Sequence, residues 1–389
     1  MNPVRTAWRK YNREDCTIRV GVRPGFETEL ALEMNNLGLQ STVHDGYLEL
    51  KANLRVLPVL LKNLFCAENI NVLMDAFLVK SYPELFDRVQ RIPWENILGQ
   101  HGPGKILVST THSRLHHTDN IANSIQEAIE KRLGLKSGDH SALADVCIQL
   151  ENDRASLLAS IGRGLYKRDY RPQIGVAPFK PTIAAALLLW AKTGQSAPAF
   201  VWDPFCGSGT FLLEAAAMSV AESVPHDIDW QKLPFFTKAV PSRIERKQMI
   251  ALHGILASDL DPGAILDCQK NFKNLTHRLN KAGAKELPFT YECEQNDFLN
   301  IPDELFDKRK KANSENWIIA NLPYDERISV QADFFEKVAK KLKRCGGGWQ
   351  VLLIVPPFAE KHFRFLLNQR EKIVLSGKLK LKALTGKID

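Results

Sequence analysis

The chain has 389 residues, of which 44% are hydrophobic and 25% charged, and its formal net charge is +8. This length exceeds what one hydrophobic core usually organises, so we expect two or three domains. The composition argues against a membrane protein, because no apolar stretch could span a bilayer. It also argues against a disulfide scaffold or zinc site, because the seven cysteines are scattered without a Cys-x-x-Cys pair.

The cysteine pattern and the first residues bear on location and partners. Scattered cysteines fit a reducing compartment, and the start MNPVRTAWRKYN lacks the apolar core of a secretory signal. We therefore expect a cytoplasmic protein, with an organelle matrix as the alternative because this start is basic. The positive charge and the isoelectric point near 9.0 favour polyanionic partners without identifying one.

The N-terminal part alternates predicted strands and helices, which is typical of small α/β units. Its predicted elements are a strand at 16–22, a helix at 26–38, a strand at 46–52 and a helix at 55–65. A second unit has strands at 105–111 and 145–152 around a histidine-rich turn and a helix at 121–134. Asp119 or Asn120 is expected to cap that helix, and Gly134 to end it.

The remaining chain predicts a doubly wound, mostly parallel sheet. Its strands are AFVWDPF, GILASDL, FTYECEQ, WIIANLP and WQVLLIV, and its helices are TFLLEAAAMSVAES, PGAILDCQKNFKNLTHRL and VQADFFEKVAKKLKRC. An antiparallel hairpin, EKIVLSGKLKLKALTG, is expected at one edge of the sheet, and VPHDIDWQKLPFFTKAVP is interpreted as an inserted loop. The lysines of KKLKRC are interpreted as a solvated helix face.

A glycine-containing turn follows the first of these strands, in DPFCGSGTFLLEAA. Gly207 and Gly209 permit close approach of a ligand, and the helix that starts near Thr210 directs N–H groups towards it. Successive strands also end near Asp203, Asp259 and Asp297, at the edge where α/β folds bind ligands. A carboxylate in the position of Asp259 can hold ribose hydroxyls, although its distance from Gly209 argues against a nicotinamide enzyme.

The stretch WIIANLPYDER predicts where chemistry takes place. Asn321 and the carbonyl of Leu322 can accept both hydrogens of an exocyclic amino group, which turns the nitrogen lone pair towards an electrophile. Pro323 fixes the turn, and the Tyr324 ring can stack on a base. This arrangement suits in-line methyl transfer from a sulfonium without a metal or a covalent intermediate.

Together, DPFCGSGTFLLEAA, ASDLDPGAI, NDFLN and ANLPYDER, preceded by YKRDYRPQIGVAPFKPTIAAALL, resemble a known family. They are similar to the S-adenosylmethionine-dependent 23S ribosomal RNA guanine-N2 methyltransferases that carry a THUMP domain, often described as N6-adenine-specific DNA methylases. The resemblance spans nearly the whole chain, since STTHSRLHHTDNIANSIQEAIEKRL is similar to the THUMP core. It implies an α/β protein: a C-terminal doubly wound, Rossmann-like class I methyltransferase sheet, with an N-terminal ferredoxin-like and THUMP α+β region.

The resemblance also implies site residues, a cofactor and domain bounds. S-adenosylmethionine is the implied cofactor, with Asp259 on its ribose and Asp297 on its adenine. The implied cofactor-binding residues are Asp203, Phe205, Cys206, Gly207, Gly209, Thr210, Asp259, Leu260, Asp297, Phe298 and Asn321. The implied catalytic residues are Asn321, Leu322, Pro323 and Tyr324. The expected domains are 1–65 (ferredoxin-like), 66–160 (THUMP, RNA-binding) and 161–389 (methyltransferase).

Basic and histidine-rich segments predict contacts to structured RNA, and the resemblance implies large-subunit ribosomal RNA or its precursor. In RGLYKRDYR, basic residues alternate with Tyr166 and Tyr170, a mixture suited to phosphates and bases. The predicted RNA-binding residues are Arg114, His116, Arg163, Lys167, Arg168 and Arg171. A metal site at the histidines is not expected, because no cysteine cluster accompanies them.

Two departures from the family pattern keep alternatives open. The family usually has Asn-Pro-Pro-Tyr-Gly, whereas Leu322 and Asp325 stand here. Guanine N2 is the favoured target, and adenine N6 of RNA or DNA is one alternative. A catalytically silent RNA-binding assembly factor on a methyltransferase scaffold is another.

Overall fold

The computed structural model describes residues 15–99, 102–135, 144–162, 164–174, 179–220, 248–283, 287–311, 314–324, 333–377 and 379–389. They divide into two units, one ending at Leu165 and the other beginning at Tyr166. No helix within these ranges is both long and apolar enough to cross a membrane. The segment interpreted as an inserted loop, 224–241, lies outside the described residues.

The first unit contains a seven-stranded sheet in the order β2-β3-β1-β4-β7-β6-β5. Its strands are β1 Cys16–Val22, β2 Thr42–His44, β3 Tyr47–Ala52, β4 Ala67–Leu78, β5 Ile106–Thr111, β6 Asp145–Glu151 and β7 Arg154–Ser160. Its helices are α1 Glu27–Asn36, α2 Leu57–Asn63, α3 Tyr82–Arg91 and α4 Thr118–Leu133. The sequence analysis missed β2, β4, β7 and α3. The predicted boundary at 65/66 lies just before β4, which pairs with both β1 and β7, and the predicted domains stay a prediction.

Helix α4 begins earlier than the sequence predicted. Its N-cap is His117, which makes no side-chain capping hydrogen bond, so the prediction of Asp119 or Asn120 as the cap is wrong. The helix begins at Thr118, three residues before the start predicted at the apolar Ile121. The first turn of a helix does not need an apolar residue, so the apolar pattern did not mark it. Gly134 does end the helix, as predicted, in the left-handed conformation with φ of 67°.

The second unit contains a sheet in the order β10-β9-β8-β11-β12-β14-β13. Its strands are β8 Phe200–Asp203, β9 Gly254–Asp259, β10 Thr290–Gln295, β11 Asn316–Asn321, β12 Gln350–Val355, β13 Leu367–Ser376 and β14 Leu379–Lys387. Its helices are α5 Pro181–Lys192, α6 Thr210–Met218, α7 Pro262–Ala282, α8 Glu304–Arg309 and α9 Phe334–Cys345. The first five strands are parallel, and the antiparallel hairpin lies at the edge, as predicted.

The strand order creates a crevice in the middle of this sheet. The chain runs outward from β8 through β9 to β10 and then returns to β11, on the other side of β8. Such a reversal of direction separates the loops that leave neighbouring strands, and α/β folds bind ligands there. Strand β11 lies beneath this point, with the side chains from Trp317 to Ala320 buried, as its apolar run predicted.

Candidate active site

A cavity of about 1410 Å³ lies at the carboxyl ends of β10, β9, β8 and β11. The sequence-predicted cofactor and catalytic residues line it together, with the exception of Gly209. They come from four chain segments, namely 203–210, 259–260, 297–298 and 321–324. The wall also includes Ile174 and Phe179, which the sequence analysis missed because nothing local in the sequence marks them.

The two glycines of the turn between β8 and α6 serve different purposes. Both have left-handed backbone angles, with φ of 53° at Gly207 and 86° at Gly209. A Cβ at Gly207 would meet open space, whereas one at Gly209 would lie 2.7 Å from the Sγ of Cys268. Gly207 therefore leaves room for a ligand, and Gly209 lets α7 pack behind the turn.

One buried and one half-buried carboxylate hold this turn in place. Asp203 is 2% exposed, and its Oδ1 accepts a hydrogen bond from the Phe205 N–H at 3.0 Å. The oxygens of Asp259 accept from the N–H groups of Gly207, at 2.9 Å, and Asp261, at 3.0 Å. Burial raises the pKa of Asp203 well above its usual range and also raises the pKa of Asp259. A cation bound here would stabilise the ionised carboxylates.

The adenine end predicted at Asp297 is organised by short-range hydrogen bonds. Asp297 accepts from the Leu299 N–H at 2.9 Å and from the Asn300 amide at 2.7 Å. Phe298 is 3% exposed and packs on Trp202, so most of its ring belongs to the core. Leu260 is 65% exposed and lines the cavity, which leaves it as the larger apolar surface for a ligand.

Asn321 ends β11 with an unsatisfied group. Its Oδ1 is buried and has no hydrogen-bond partner within the described structure. Such atoms are uncommon, because an unpaired buried acceptor costs about 1–3 kcal/mol. The next residue, Leu322, is buried and donates its N–H to the Ile354 carbonyl at 3.1 Å. Asn321 is thus held at the cavity wall with an acceptor that a ligand can use.

Pro323 and Tyr324 continue the same wall. Both are half-buried and line the cavity, and Tyr324 packs against the core cluster beneath β11. A ring held in this way loses little conformational freedom when a planar ligand stacks on it. Asp325 lies outside the described residues.

The structure corrects part of the predicted RNA contacts. The Arg168 side chain is 0% exposed and forms an ion pair with Glu214 at 2.8 Å. Tyr170 is buried and donates its hydroxyl to the same carboxylate. Arg171 is 7% exposed, and burial lowers its pKa. The predictions that these three side chains contact RNA are therefore wrong, because all three are buried and form hydrogen bonds within the second unit.

Other predicted RNA-binding residues are accessible. Lys167 is exposed, and so are Arg114 and His116 of the first unit. The Arg114 backbone N–H donates to Asp153 at 2.7 Å, while its side chain is 70% exposed. Their contact with RNA stays a prediction, and Arg163 lies outside the described residues.

Helix α9 contributes a basic wall, and the sequence analysis interpreted the lysines of KKLKRC within this helix as a solvated face. Lys337, Lys340, Lys341 and Arg344 line the cavity. Lys341 is 5% exposed and donates its ammonium group to the carbonyls of Leu299, at 2.8 Å, and Ile301, at 2.6 Å. The solvated interpretation is wrong for Lys341. The i, i+3, i+4, i+7 spacing of the four residues was the available signal.

A metal ion has no evident place in the described residues. No group of three or more His, Cys, Asp or Glu side chains among them could hold one.

Comparisons with known proteins agree on the class of fold and family. A family model described as UPF0020, RMKL-like, methyltransferase domain, matches residues 168–374, more than half of the chain. The solved structure of SMU.472 complexed with SAH matches with a TM-score of 0.75 at 21% identity, covering 97% of this chain and 99% of that one. TrmN from Thermus thermophilus matches with a TM-score of 0.66 at 18% identity, covering 96% and 99%. At these identities the structures show the fold, and the predicted Rossmann-like class is confirmed.

Two curated relatives cover most of this chain. "Putative RNA methyltransferase YpsC" of Bacillus subtilis is 29% identical over 346 residues, 84% of this chain and 83% of that protein. Ribosomal RNA large subunit methyltransferase K/L of Pseudomonas putida (strain W619) is 26% identical over 355 residues. That match covers 84% of this chain but 46% of the relative, so the chain spans about half the length of the K/L relatives.

Proposed function

Because the chain belongs to the UPF0020 family of RMKL-like methyltransferase domains, we propose that it methylates the exocyclic amino group of a base in RNA. The methyl donor is S-adenosylmethionine, as the sequence predicted. The proposed target is guanine N2 of large-subunit ribosomal RNA. The names of the YpsC and K/L relatives support RNA as the substrate class.

The residues of the cavity fit this donor. When bound, S-adenosylmethionine supplies an electrophilic methyl group on a positively charged sulfur. Burial disfavours the ionised form of the Asp203 and Asp259 carboxylates. A cationic ligand beside them would stabilise that ionised form and would in turn be held by its negative charge. Gly207 leaves open space beside the turn. Leu260 presents an exposed apolar side chain to a flat ring.

The unpaired Oδ1 of Asn321 is the observation that carries the proposal. An acceptor at a cavity wall favours a ligand with N–H groups, and the carbonyl of Leu322 follows it in the chain. Two acceptors can take both hydrogens of an amino group, which frees the nitrogen lone pair from conjugation with the ring. Tyr324 would stack on the same base and fix its plane.

The proposed reaction is a single displacement. The amino nitrogen attacks the methyl carbon while the carbon–sulfur bond breaks, and the sulfur keeps the bonding electron pair. The nitrogen then carries a positive charge and releases one proton to water. Asn321 and Leu322 accelerate this step by alignment, which is worth several kcal/mol in enzymes.

The first unit is proposed to hold the RNA. Arg114 and His116 are exposed there, and the net charge of +8 suits a polyanion. A duplex or hairpin would have to extrude its target nucleotide, because an amino group inside a helix cannot reach a buried acceptor.

Replacing Asn321 tests the mechanism. Asn321→Ala removes the acceptor and should lower turnover by about 10²–10³-fold, the usual effect of deleting one preorganised hydrogen-bonding group. Asn321→Asp keeps acceptor oxygens and should retain part of the activity. Turnover is measured with labelled donor, and donor affinity by isothermal titration should change little in both variants. Equal loss of turnover and donor affinity in Asn321→Ala would contradict the proposed role.

The target is identified by mass spectrometry of nucleosides from methylated RNA. We expect N2-methylguanosine from large-subunit ribosomal RNA. Detection of N6-methyladenosine would identify adenine, and not guanine, as the target base. Detection of N6-methyladenine in DNA would also contradict the proposal that RNA is the substrate. Failure to bind the donor and to methylate any of these substrates would favour the silent assembly factor.

A further inference from the structure

The basic wall of the cavity lies on one helix face. Lys337, Lys340, Lys341 and Arg344 of α9 follow i, i+3, i+4, i+7 spacing, which places them along one side of the helix. All four line the cavity. Lys343, on the same helix, is exposed but does not line it. The positive charge towards the cavity is therefore a property of one face and not of the whole helix.

Acidic and basic side chains are unevenly distributed along the cavity wall. Asp203, Asp259, Asp261 and Asp297 line the part formed by β8, β9 and β10, where Lys270 of α7 is the cation of the lining, whereas α9 supplies four cations. A sulfonium nucleoside has one carboxylate and needs acidic partners for its sulfur and ribose. Four cations are more than the single carboxylate of that ligand can pair with. The basic wall therefore fits a second ligand that carries more negative charge.

Two of the four cations already have structural tasks. Lys341 holds the carbonyls of Leu299 and Ile301. Arg344 donates twice to the Asp303 carboxylate, at 2.7 and 3.0 Å. These contacts keep α9 against the neighbouring turn.

Lys337 and Lys340 lie where a bound phosphate could replace their present carboxylate partners. Their side chains are 48% and 73% exposed. Lys337 pairs at 2.8 Å with Asp333, the N-cap residue of α9, and Lys340 pairs at 2.5 Å with Glu336, one turn earlier on the helix. Exposed pairs of this kind contribute little to stability, so a phosphate can replace them easily.

We propose that Lys337 and Lys340 bind the phosphates that flank the target nucleotide, which makes a polynucleotide the substrate of this site and excludes the free nucleoside. The inference rests on the proposed function, since it assumes that a nucleotide enters this cavity. Each phosphate contact releases about 0.7 counterion from single-stranded nucleic acid. Loss of two contacts should lower the log-log salt slope by about 1.4 and weaken binding about 25-fold at 0.1 M salt.

The experiment compares Lys337→Ala/Lys340→Ala with Lys343→Ala and the unchanged protein. RNA affinity is measured by filter binding over a range of salt, KM for RNA by transfer of labelled methyl groups, and donor affinity by titration calorimetry. The double variant should show the weaker binding, a raised KM and the shallower slope, with unchanged donor affinity. Lys343→Ala should match the unchanged protein in all three, and equal thermal melting verifies folding.

Three results would overturn the inference. An unchanged slope and KM in the double variant, with active unchanged protein, would show that the two lysines do not contact substrate. Loss of donor affinity alone would assign them to the donor carboxylate. Equal effects of Lys343→Ala would show that RNA binding depends on the overall positive charge of the helix and not on the face that lines the cavity. Inactivity of the unchanged protein on every RNA would instead refute the proposed function, and the inference with it.

Discussion

Removing Arg168 should strongly destabilise the second unit. Its guanidinium and the Glu214 carboxylate are 0% and 1% exposed and lie 2.8 Å apart, with a second hydrogen bond of 3.1 Å. Arg168→Met leaves Glu214 buried, with the Tyr170 hydroxyl still donating to it. Breaking a buried pair from one side typically costs about 3–5 kcal/mol, because the remaining charge is uncompensated.

The adjacent residue provides the matched control. Lys167 is exposed, so Lys167→Met should change the free energy of unfolding by less than about 0.5 kcal/mol. Adding Glu214→Gln to Arg168→Met should recover part of the loss, because a neutral amide is less costly to bury than a carboxylate and still accepts from Tyr170.

Urea unfolding measures both effects. Trp202, Trp317 and Trp349 are buried in the second unit, and their fluorescence follows its unfolding. With an m-value of about 2 kcal/mol/M, the midpoint of Arg168→Met should fall by about 1.5–2.5 M. A midpoint as high as that of Lys167→Met would refute the reasoning, since Arg168 would then not be a buried charge that Glu214 needs.

Four further substitutions test the site by the same unfolding assay. Gly207→Ala should cost about 1–2 kcal/mol for its left-handed backbone alone, and Gly209→Ala about 1–3 kcal/mol more because its Cβ would meet Cys268; equal costs would contradict the packing role. Burial raises the pKa of Asp203, so stability should be lost as pH rises from the usual carboxyl range through that raised value. Asp203→Asn should flatten this decline, and an unaltered pH profile would count against it. Lys341→Met removes the donor from the buried Ile301 carbonyl and the half-buried Leu299 carbonyl and should cost about 1–3 kcal/mol; a neutral effect would mean that water replaces the ammonium group.

The sequence predicted the second unit well because its signals are local. Apolar runs mark the parallel strands, and each acid near a strand end must lie at the same sheet edge, since parallel strands present their carboxyl ends together. This is why Asp203, Asp259 and Asn321 could be placed in one cavity from spacing alone. Strand β4 escaped prediction because polar residues and a register shift between Leu73 and Asp75 interrupt its alternation.

The failures concern side chains that depend on distant residues. Lys167 and Arg168 look alike in sequence, and only Glu214, 46 residues away from Arg168, decides that one is buried. The basic residues of α9 presented the same difficulty. Their spacing shows a common face, but which wall that face meets depends on where the helix packs against the turn at Leu299.

Lys341 joins two parts of the cavity that the chain builds separately. Because its ammonium group holds carbonyls of the turn after Asp297, α9 cannot shift without pulling on that turn. A ligand that draws the helix inward would therefore also move the turn that follows Asp297. If one occupant changes the affinity for the other in this way, the second must change the affinity for the first by the same factor. The order in which the two bind therefore cannot alter the equilibrium population of the doubly occupied protein.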